Sequence, residues 1–171
     1  MKLIFYPVFF ILVYSIQTVW LTYVSVDGTR PDLVLIFAFF CGLRFEVKRG
    51  VAAAGLGGFI QDCLSGGFLG INTFSKSIIC FLVSAIRENI LVESFAPIAI
   101  FTACISFIDG MIFYFVSTLF MDRVINENIF FNSLPIFALY NAFAGPPIFY
   151  LLNWFQKRVK RKTLAEFSEF S

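Results

Sequence analysis

The feature that most constrains this chain is a series of long apolar runs with almost no charge. The first run, from Leu3 to Val26, contains no charged residue. A membrane-spanning helix needs roughly 20 predominantly apolar residues to cross about 30 Å of hydrocarbon, and this run has that length. It is too long for the apolar region of a signal peptide, and no A-x-A cleavage pattern follows it. We therefore expect an uncleaved first membrane helix.

The composition supports the same class of protein. Of the 171 residues, 59% are hydrophobic and only 14% are charged, and 25 are phenylalanine. A soluble domain usually carries about 25% charged residues. A soluble core cannot hide this much apolar surface, whereas a bilayer can. The sequence predicts an integral membrane protein with no soluble domain large enough to fold alone.

Apolar runs and their flanking signals predict six spans, at about 3–24, 31–44, 48–64, 72–90, 97–121 and 134–155. The second is the weakest, because its uncharged part, Leu33–Leu43, is too short to cross alone, so that Asp32 and Arg44 must lie at the interfaces. Thr29 is the expected cap of this helix, and Asn72 or Thr73 is the expected cap of the fourth. The predicted organisation is a transmembrane domain over residues 1–155 and a basic cytoplasmic tail over 156–171.

The distribution of positive charge predicts the orientation. Cytoplasmic loops of membrane proteins carry an excess of Lys and Arg. With the N-terminus inside, the outer loops hold only Arg30 and Arg123. The inner segments then hold Lys2, Arg44, Lys48, Arg49, Arg87, Lys157, Arg158, Lys160, Arg161 and Lys162. We expect an all-α, six-helix bundle with both termini in the cytoplasm.

The basic tail has two interpretations. Its cations are crowded into a short stretch, and Leu164, Phe167 and Phe170 follow at roughly helical spacing. The cations are Lys157, Arg158, Lys160, Arg161 and Lys162. The favoured interpretation is an orientation anchor on anionic lipid, worth about 1 kcal/mol per basic residue. The alternative is a cytoplasmic helix that docks a partner.

The third predicted span carries a stripe of small residues. Gly50, Ala54 and Gly58 repeat at four-residue spacing. Small residues on one face let two membrane helices approach closely. Packing within the bundle is favoured over a dimer interface.

Polar residues cluster around the turn that follows this span, at Asp62, Ser65, Gly66, Gly70, Asn72 and Lys76. Asp62 and Lys76 are nearly symmetric about the turn. Because charges inside a membrane are expensive and normally paired, the pattern predicts an ion pair between them.

Asp109 falls near the middle of the fifth predicted span. It is expected to be protonated, or hydrogen-bonded to Gln17 or Asn141, and the sequence leaves these alternatives open. Together with Asp62 and Lys76, those two amides are expected in the outer half of the membrane. They form either an outward-opening polar cavity or separate helix–helix hydrogen bonds.

The sequence offers no motif of an enzyme. It has no histidine, no phosphate-binding glycine loop, no H-E-x-x-H and no nucleophile elbow. Its cysteines, Cys41, Cys63, Cys80 and Cys104, lie in or beside apolar runs without C-x-x-C spacing. We expect no catalytic site, no cofactor, no metal site and no nucleic-acid binding.

The chain resembles the MreD family of bacterial rod shape-determining membrane proteins. The likeness lies in Pro31-Asp32 before an apolar run, in the small-residue helix ending at Gln61-Asp62, and in Ser65-Gly66 and Leu69-Gly70 after it. The resemblance implies a non-enzymatic scaffold of the cell-elongation complex for peptidoglycan in the inner membrane. Its implied partners are MreC and, with it, MreB, a SEDS glycosyltransferase and a penicillin-binding transpeptidase.

The family is also similar in fold to the substrate-binding S subunits of energy-coupling-factor transporters. That similarity implies an alternative, a vitamin- or metal-binding subunit with an outward-facing pocket. S subunits commonly carry an A-x-x-x-A motif on the first helix. The first predicted span here has no alanine, which counts against the transporter interpretation.

Overall fold

The computed structural model of the chain describes residues 29–65, 69–89, 94–120 and 127–168. The first predicted span lies outside these residues. In the described part the regular structure is helical, in five α-helices and one short 3-10 helix, Arg87–Asn89. The α-helices are α1 (Leu33–Arg44), α2 (Val47–Ser65), α3 (Ile71–Ile86), α4 (Phe95–Phe120) and α5 (Glu127–Ser168). They correspond in order to the second to sixth predicted spans.

Two of the described helices are long and apolar enough to cross a membrane. These are α4, and the stretch Ile129–Arg158 of α5. The helices α1 and α3 are apolar but shorter. This pattern is consistent with a helical membrane protein.

Helix α1 forms the centre of the described bundle. It contacts each of the other four described α-helices, and most of its side chains are buried, with Phe39 fully so. Its burial against protein explains why a run too short to cross a bilayer alone is stable here. The core that it shares with its neighbours comprises Leu35, Phe39, Phe40, Ile79, Val83, Ile98, Ile105, Phe149 and Leu152.

The cap of α1 is Asp32, not Thr29 as predicted. Oδ1 of Asp32 accepts hydrogen bonds from the backbone N–H groups of Val34 and Leu35, at 3.0 and 3.1 Å. These N–H groups have no partner within the helix, so the carboxylate satisfies them. The backbone then becomes extended at Phe45, where α1 ends.

The small-residue stripe of α2 faces the interior of the bundle. A Cβ atom at Gly58 would lie 2.5 Å from the backbone oxygen of Asn72 in α3. A Cβ atom at Gly50 would lie 3.1 Å from the backbone oxygen of Cys41 in α1, and Ala54 is fully buried. The stripe therefore brings α2 close to both α1 and α3.

Helix α5 is longer than predicted. It has 42 residues, which corresponds to about 63 Å at 1.5 Å per residue, roughly twice the hydrocarbon thickness. Its backbone continues without a break through the predicted domain boundary at residue 155. Pro135, Pro146 and Pro147 lie inside it, and beside them Gly145 packs on Thr102 of α4.

Candidate functional site: a buried ion cluster beside a cavity

A lysine buried between three helices is the centre of the site. Lys76 lies in the second turn of α3 and is 1% exposed. Its Nζ atom is 2.8 Å from Oδ2 of Asp32 and 3.0 Å from both carboxylate oxygens of Asp109. It also donates to Oδ1 of Asn72 at 3.1 Å. An ammonium group has three N–H donors, so these three partners satisfy it completely.

Asp32 both caps α1 and binds the polar groups of the cluster. One carboxylate oxygen caps α1, as described above, and the other accepts hydrogen bonds from Lys76 and from Nε2 of Gln61, the latter at 3.2 Å. The backbone N–H of Asp32 donates to Oδ1 of Asn141 at 2.7 Å. Negative charge at the start of a helix is also favoured by the helix dipole.

Asp109 of α4 completes the cluster, and its partners among the described residues differ from the one predicted partner that lies among them, Asn141. It accepts from Lys76 and from the hydroxyl group of Ser75. Asn141, one of its predicted partners, instead binds the backbone of Asp32. The other, Gln17, lies outside the described residues.

The cluster connects all five described α-helices. Asp32 belongs to the start of α1, Gln61 to α2, Lys76 to α3, Asp109 to α4 and Asn141 to α5. Removing one partner of a buried ion pair is strongly destabilising, because the other charge stays buried without compensation. This arrangement favours one relative placement of the helices.

The predicted Asp62–Lys76 ion pair is wrong. Asp62 is 1% exposed, and its carboxylate accepts the backbone N–H groups of Gly70, Asn72 and Thr73 at 2.9–3.0 Å. It also accepts from Nδ2 of Asn72 and from the hydroxyl of Thr73, at 2.9 and 2.8 Å. Asp62 thus caps α3 from the end of α2. Asn72 and Thr73, the predicted caps, are donors to it.

The other predicted residues of the turn take supporting positions. The hydroxyl of Ser65 donates to the backbone oxygen of Asp62 at 3.2 Å. Gly70 has φ = 106°, in the left-handed region that favours glycine. It directly precedes α3, so it lets the chain turn back with its N–H aimed at Asp62. Gly66 lies outside the described residues.

A cavity of about 480 Å³ lies beside the ion cluster. One part of its wall is polar or charged, with Thr29, Arg30, Asp32, Asn72, Lys76, Asp109 and Ser133. The other part is mainly apolar, with Gly110, Phe113, Phe130, Leu134 and Phe137. Of the polar residues that were predicted for the outer half, Lys76 lines this cavity. Asp62 and Asn141 make separate helix–helix hydrogen bonds.

The basic tail begins on α5, one of the two helices that form this apolar wall. Lys157 and Arg158 are exposed, and the guanidinium carbon of Arg158 lies 4.2 Å from the ring centroid of Trp154. The backbone of Lys160, Arg161 and Lys162 continues α5.

Among the described residues no group of three or more His, Cys, Asp or Glu side chains could hold a metal ion. The cysteines of this part are free thiols.

Sequence reasoning missed several partners in the cluster. The apolar run predicts Asp32 at a membrane interface, and no sequence pattern assigns a contact to Gln61 or Ser75. An available signal was the position of Asp32 directly before an apolar run, since aspartate is among the best N-caps. The contribution of Ser75 depends on how α3 and α4 pack, which local patterns do not report.

One of the comparisons with known proteins, the comparison with family models, gives a match. The family model described as "rod shape-determining protein MreD" matches residues 1–158 of the chain. No curated protein and no solved structure gives a significant match.

Proposed function

Since the chain belongs to the family of the rod shape-determining protein MreD, we propose that it is a non-enzymatic scaffold of the bacterial cell-elongation complex. Membership itself indicates a role in rod shape determination. The observation that carries the scaffold proposal is the ion cluster, whose charged groups bind one another across the helices. Charges engaged in this way stabilise a bundle and leave its outer helix faces for partners.

The proposal places the protein in the inner membrane as a multi-pass bundle of six spans with both termini cytoplasmic. Two long apolar helices support spanning, and the distribution of cations supports the orientation. In this orientation the cluster and the cavity lie in the outer half of the membrane, and the basic end of α5 lies at the cytoplasmic surface. Anionic lipid is the proposed contact of that end.

The direct partner in this proposal is MreC, with MreB, a SEDS glycosyltransferase and a penicillin-binding transpeptidase recruited through it. The described outer faces are apolar, as a membrane partner requires, and include Leu56, Phe115 and Phe143, each more than 60% exposed. These residues belong to three different helices, α2, α4 and α5, so each one tests a different part of the bundle surface.

Site-specific photocrosslinking in cells tests this proposal. A photoreactive amino acid is placed at Leu56, Phe115 or Phe143 in separate variants, and the crosslinked products are probed for MreC. We expect a product with MreC from one side and none from the others. Absence of MreC products from every outward-facing position, combined with normal rod shape after loss of the protein, would reject the proposal.

The cavity favours one alternative function, capture of a solute as in the S subunits of energy-coupling-factor transporters. Its volume of about 480 Å³ falls in the range of small-molecule sites, about 300–1,000 Å³. Binding assays of the purified protein with thiamine, riboflavin and biotin test it. Tight binding of one of these, with copurification of an ATPase pair rather than MreC, would replace the scaffold proposal.

A further inference from the structure

The ion cluster contains more carboxyl groups than ammonium groups. Two carboxylates, Asp32 and Asp109, share the single ammonium group of Lys76. Lys76 is 1% exposed, the two aspartates are 6% and 5% exposed, and all three residues line the cavity.

The hydrogen bonds among the described residues show which carboxylate oxygen accepts the fewest donors. A carboxylate offers about four acceptor positions. Asp32 uses two on Oδ1, for backbone N–H groups, and two on Oδ2, for Gln61 and Lys76. In Asp109, Oδ1 accepts from Ser75 and Lys76, and Oδ2 accepts from Lys76 only. Among the contacts of the described residues, Oδ2 of Asp109 is thus the carboxylate oxygen of the pair with the fewest donors, and it is the acceptor that we assign to a cationic donor in the cavity.

The same cavity also presents a cation. Arg30 lines it and is exposed, and none of the ion pairs or hydrogen bonds found among the described residues uses its guanidinium group. A guanidinium binds phosphate through parallel N–H bonds. Arg30 precedes α1 at its N-terminal end, where Asp32 belongs to the cluster, so both charge signs occur on one wall.

The remaining wall suits an apolar group. Phe113 of α4 and Phe130, Leu134 and Phe137 of α5 line it. A ligand that contacts every part of this lining needs an anionic group, a cationic hydrogen-bond donor and an apolar portion.

We infer that the cavity binds the zwitterionic head of an amphipathic molecule that carries a primary ammonium and a phosphate. The ammonium donates to Oδ2 of Asp109, the phosphate contacts Arg30, and the adjoining apolar portion packs against Phe113 and Phe130. Ethanolamine phospholipid has this chemistry, and so does free phosphoethanolamine apart from the apolar portion. This inference is independent of the scaffold role, because neither partner binding nor cell shape enters its test.

Native mass spectrometry of the purified full-length protein tests the inference. Micelles contain equal amounts of phosphatidylethanolamine, phosphatidylcholine and phosphatidylglycerol with identical acyl chains. We expect retention of phosphatidylethanolamine over phosphatidylcholine by about tenfold, because the trimethylammonium group lacks the N–H donors of one charge-assisted hydrogen bond. Phosphatidylglycerol, which has no cation, is expected to be retained as weakly as phosphatidylcholine.

Variants locate the binding. Arg30→Gln should reduce the retention of phosphatidylethanolamine and phosphatidylcholine alike, because both carry the phosphate, and Ser133→Phe should abolish the preference by filling the cavity. The matched control is Asn132→Phe, which adds the same ring at an exposed neighbouring position of α5. Thermal stability of each variant, followed by fluorescence-detected size-exclusion chromatography, separates loss of the site from loss of folding.

Competition distinguishes the source of the ligand. Displacement by free phosphoethanolamine shows that the head alone suffices, and resistance shows that the apolar portion contributes, so both outcomes support recognition of this head. Equal retention of all three lipids, or a preference for phosphatidylglycerol, overturns the inference. A preference for phosphatidylethanolamine that Ser133→Phe leaves unchanged overturns it as well, because the lipid then binds elsewhere.

Discussion

Nζ of Lys76 lies 2.8 Å from Oδ2 of Asp32, and this contact joins the second turn of α3 to the N-terminal cap of α1. The carboxylate of Asp32 thereby caps the N-terminus of α1 and neutralises the charge of Lys76 on α3. Capping and charge neutralisation are usually separate functions of separate residues. Their combination makes the start of α1 dependent on the position of α3.

Replacement of Lys76 by methionine should destabilise the protein by about 3–5 kcal/mol, because Asp32 and Asp109 would stay buried without their cation. The triple variant with Asp32→Asn and Asp109→Asn should recover much of this loss, since asparagine also caps helices. The measurement is the loss of monodisperse protein on heating, in one detergent for all variants. Equal stability of Lys76→Met and the unchanged protein would contradict the assigned pairing.

The pairing itself can be measured by double-mutant cycles. We expect a coupling energy for Lys76 with Asp109 of about 0.5–3 kcal/mol, the range for contacting residues. The coupling of Lys76 with Asp62 should be smaller, because those two share only the side chain of Asn72. Stability of the single and double alanine variants gives both energies. A larger coupling to Asp62 would restore the pairing that the sequence suggested.

The positions of the described helices could be predicted from the sequence more closely than their contacts. The third predicted span, 48–64, differs little from α2, because a small-residue apolar stretch between charges and glycines has clear ends. Helix α5 continues past Phe155, where the sixth predicted span ends, because polar residues can end an apolar run without ending a helix. At that point the apolar run that predicts a membrane span stops, whereas the residues that follow still form a helix.

The ion cluster shows why contacts were harder to predict. Symmetry about the turn predicts that Asp62 faces Lys76, but the N–H groups at the start of α3 lie closer to Asp62 in the chain and bind its carboxylate instead. Lys76 then pairs with residues 44 and 33 positions away, Asp32 and Asp109. Contacts between residues so far apart in the sequence depend on the packing of whole helices, which no local pattern encodes.

Gly58→Ala should destabilise the bundle by about 1–3 kcal/mol, the cost of overpacking a close contact. The added Cβ atom would lie 2.5 Å from the backbone oxygen of Asn72, which cannot rotate away. The matched control is Gly55→Ala in the same helix, where the new atom meets the side-chain oxygen of Ser77 at 2.7 Å. That hydroxyl can rotate, so we expect a smaller loss. Thermal unfolding of both variants in detergent provides the comparison, and unchanged stability of Gly58→Ala would argue against the close approach of α2 to the backbone of α3.

The proposed orientation predicts which thiols react from outside the cell. Cys63 is exposed near the end of α2 that the proposal places outside. In a variant that keeps Cys63 as its single cysteine, a membrane-impermeant maleimide should label it in intact spheroplasts. A second variant, with all native cysteines replaced and Arg49→Cys introduced at the opposite end of α2, should react only after permeabilisation, because Arg49 is exposed on the proposed cytoplasmic side. Labelling of the Arg49→Cys variant in intact spheroplasts, with protection of Cys63, would reverse the orientation and place the cavity in the inner half of the membrane.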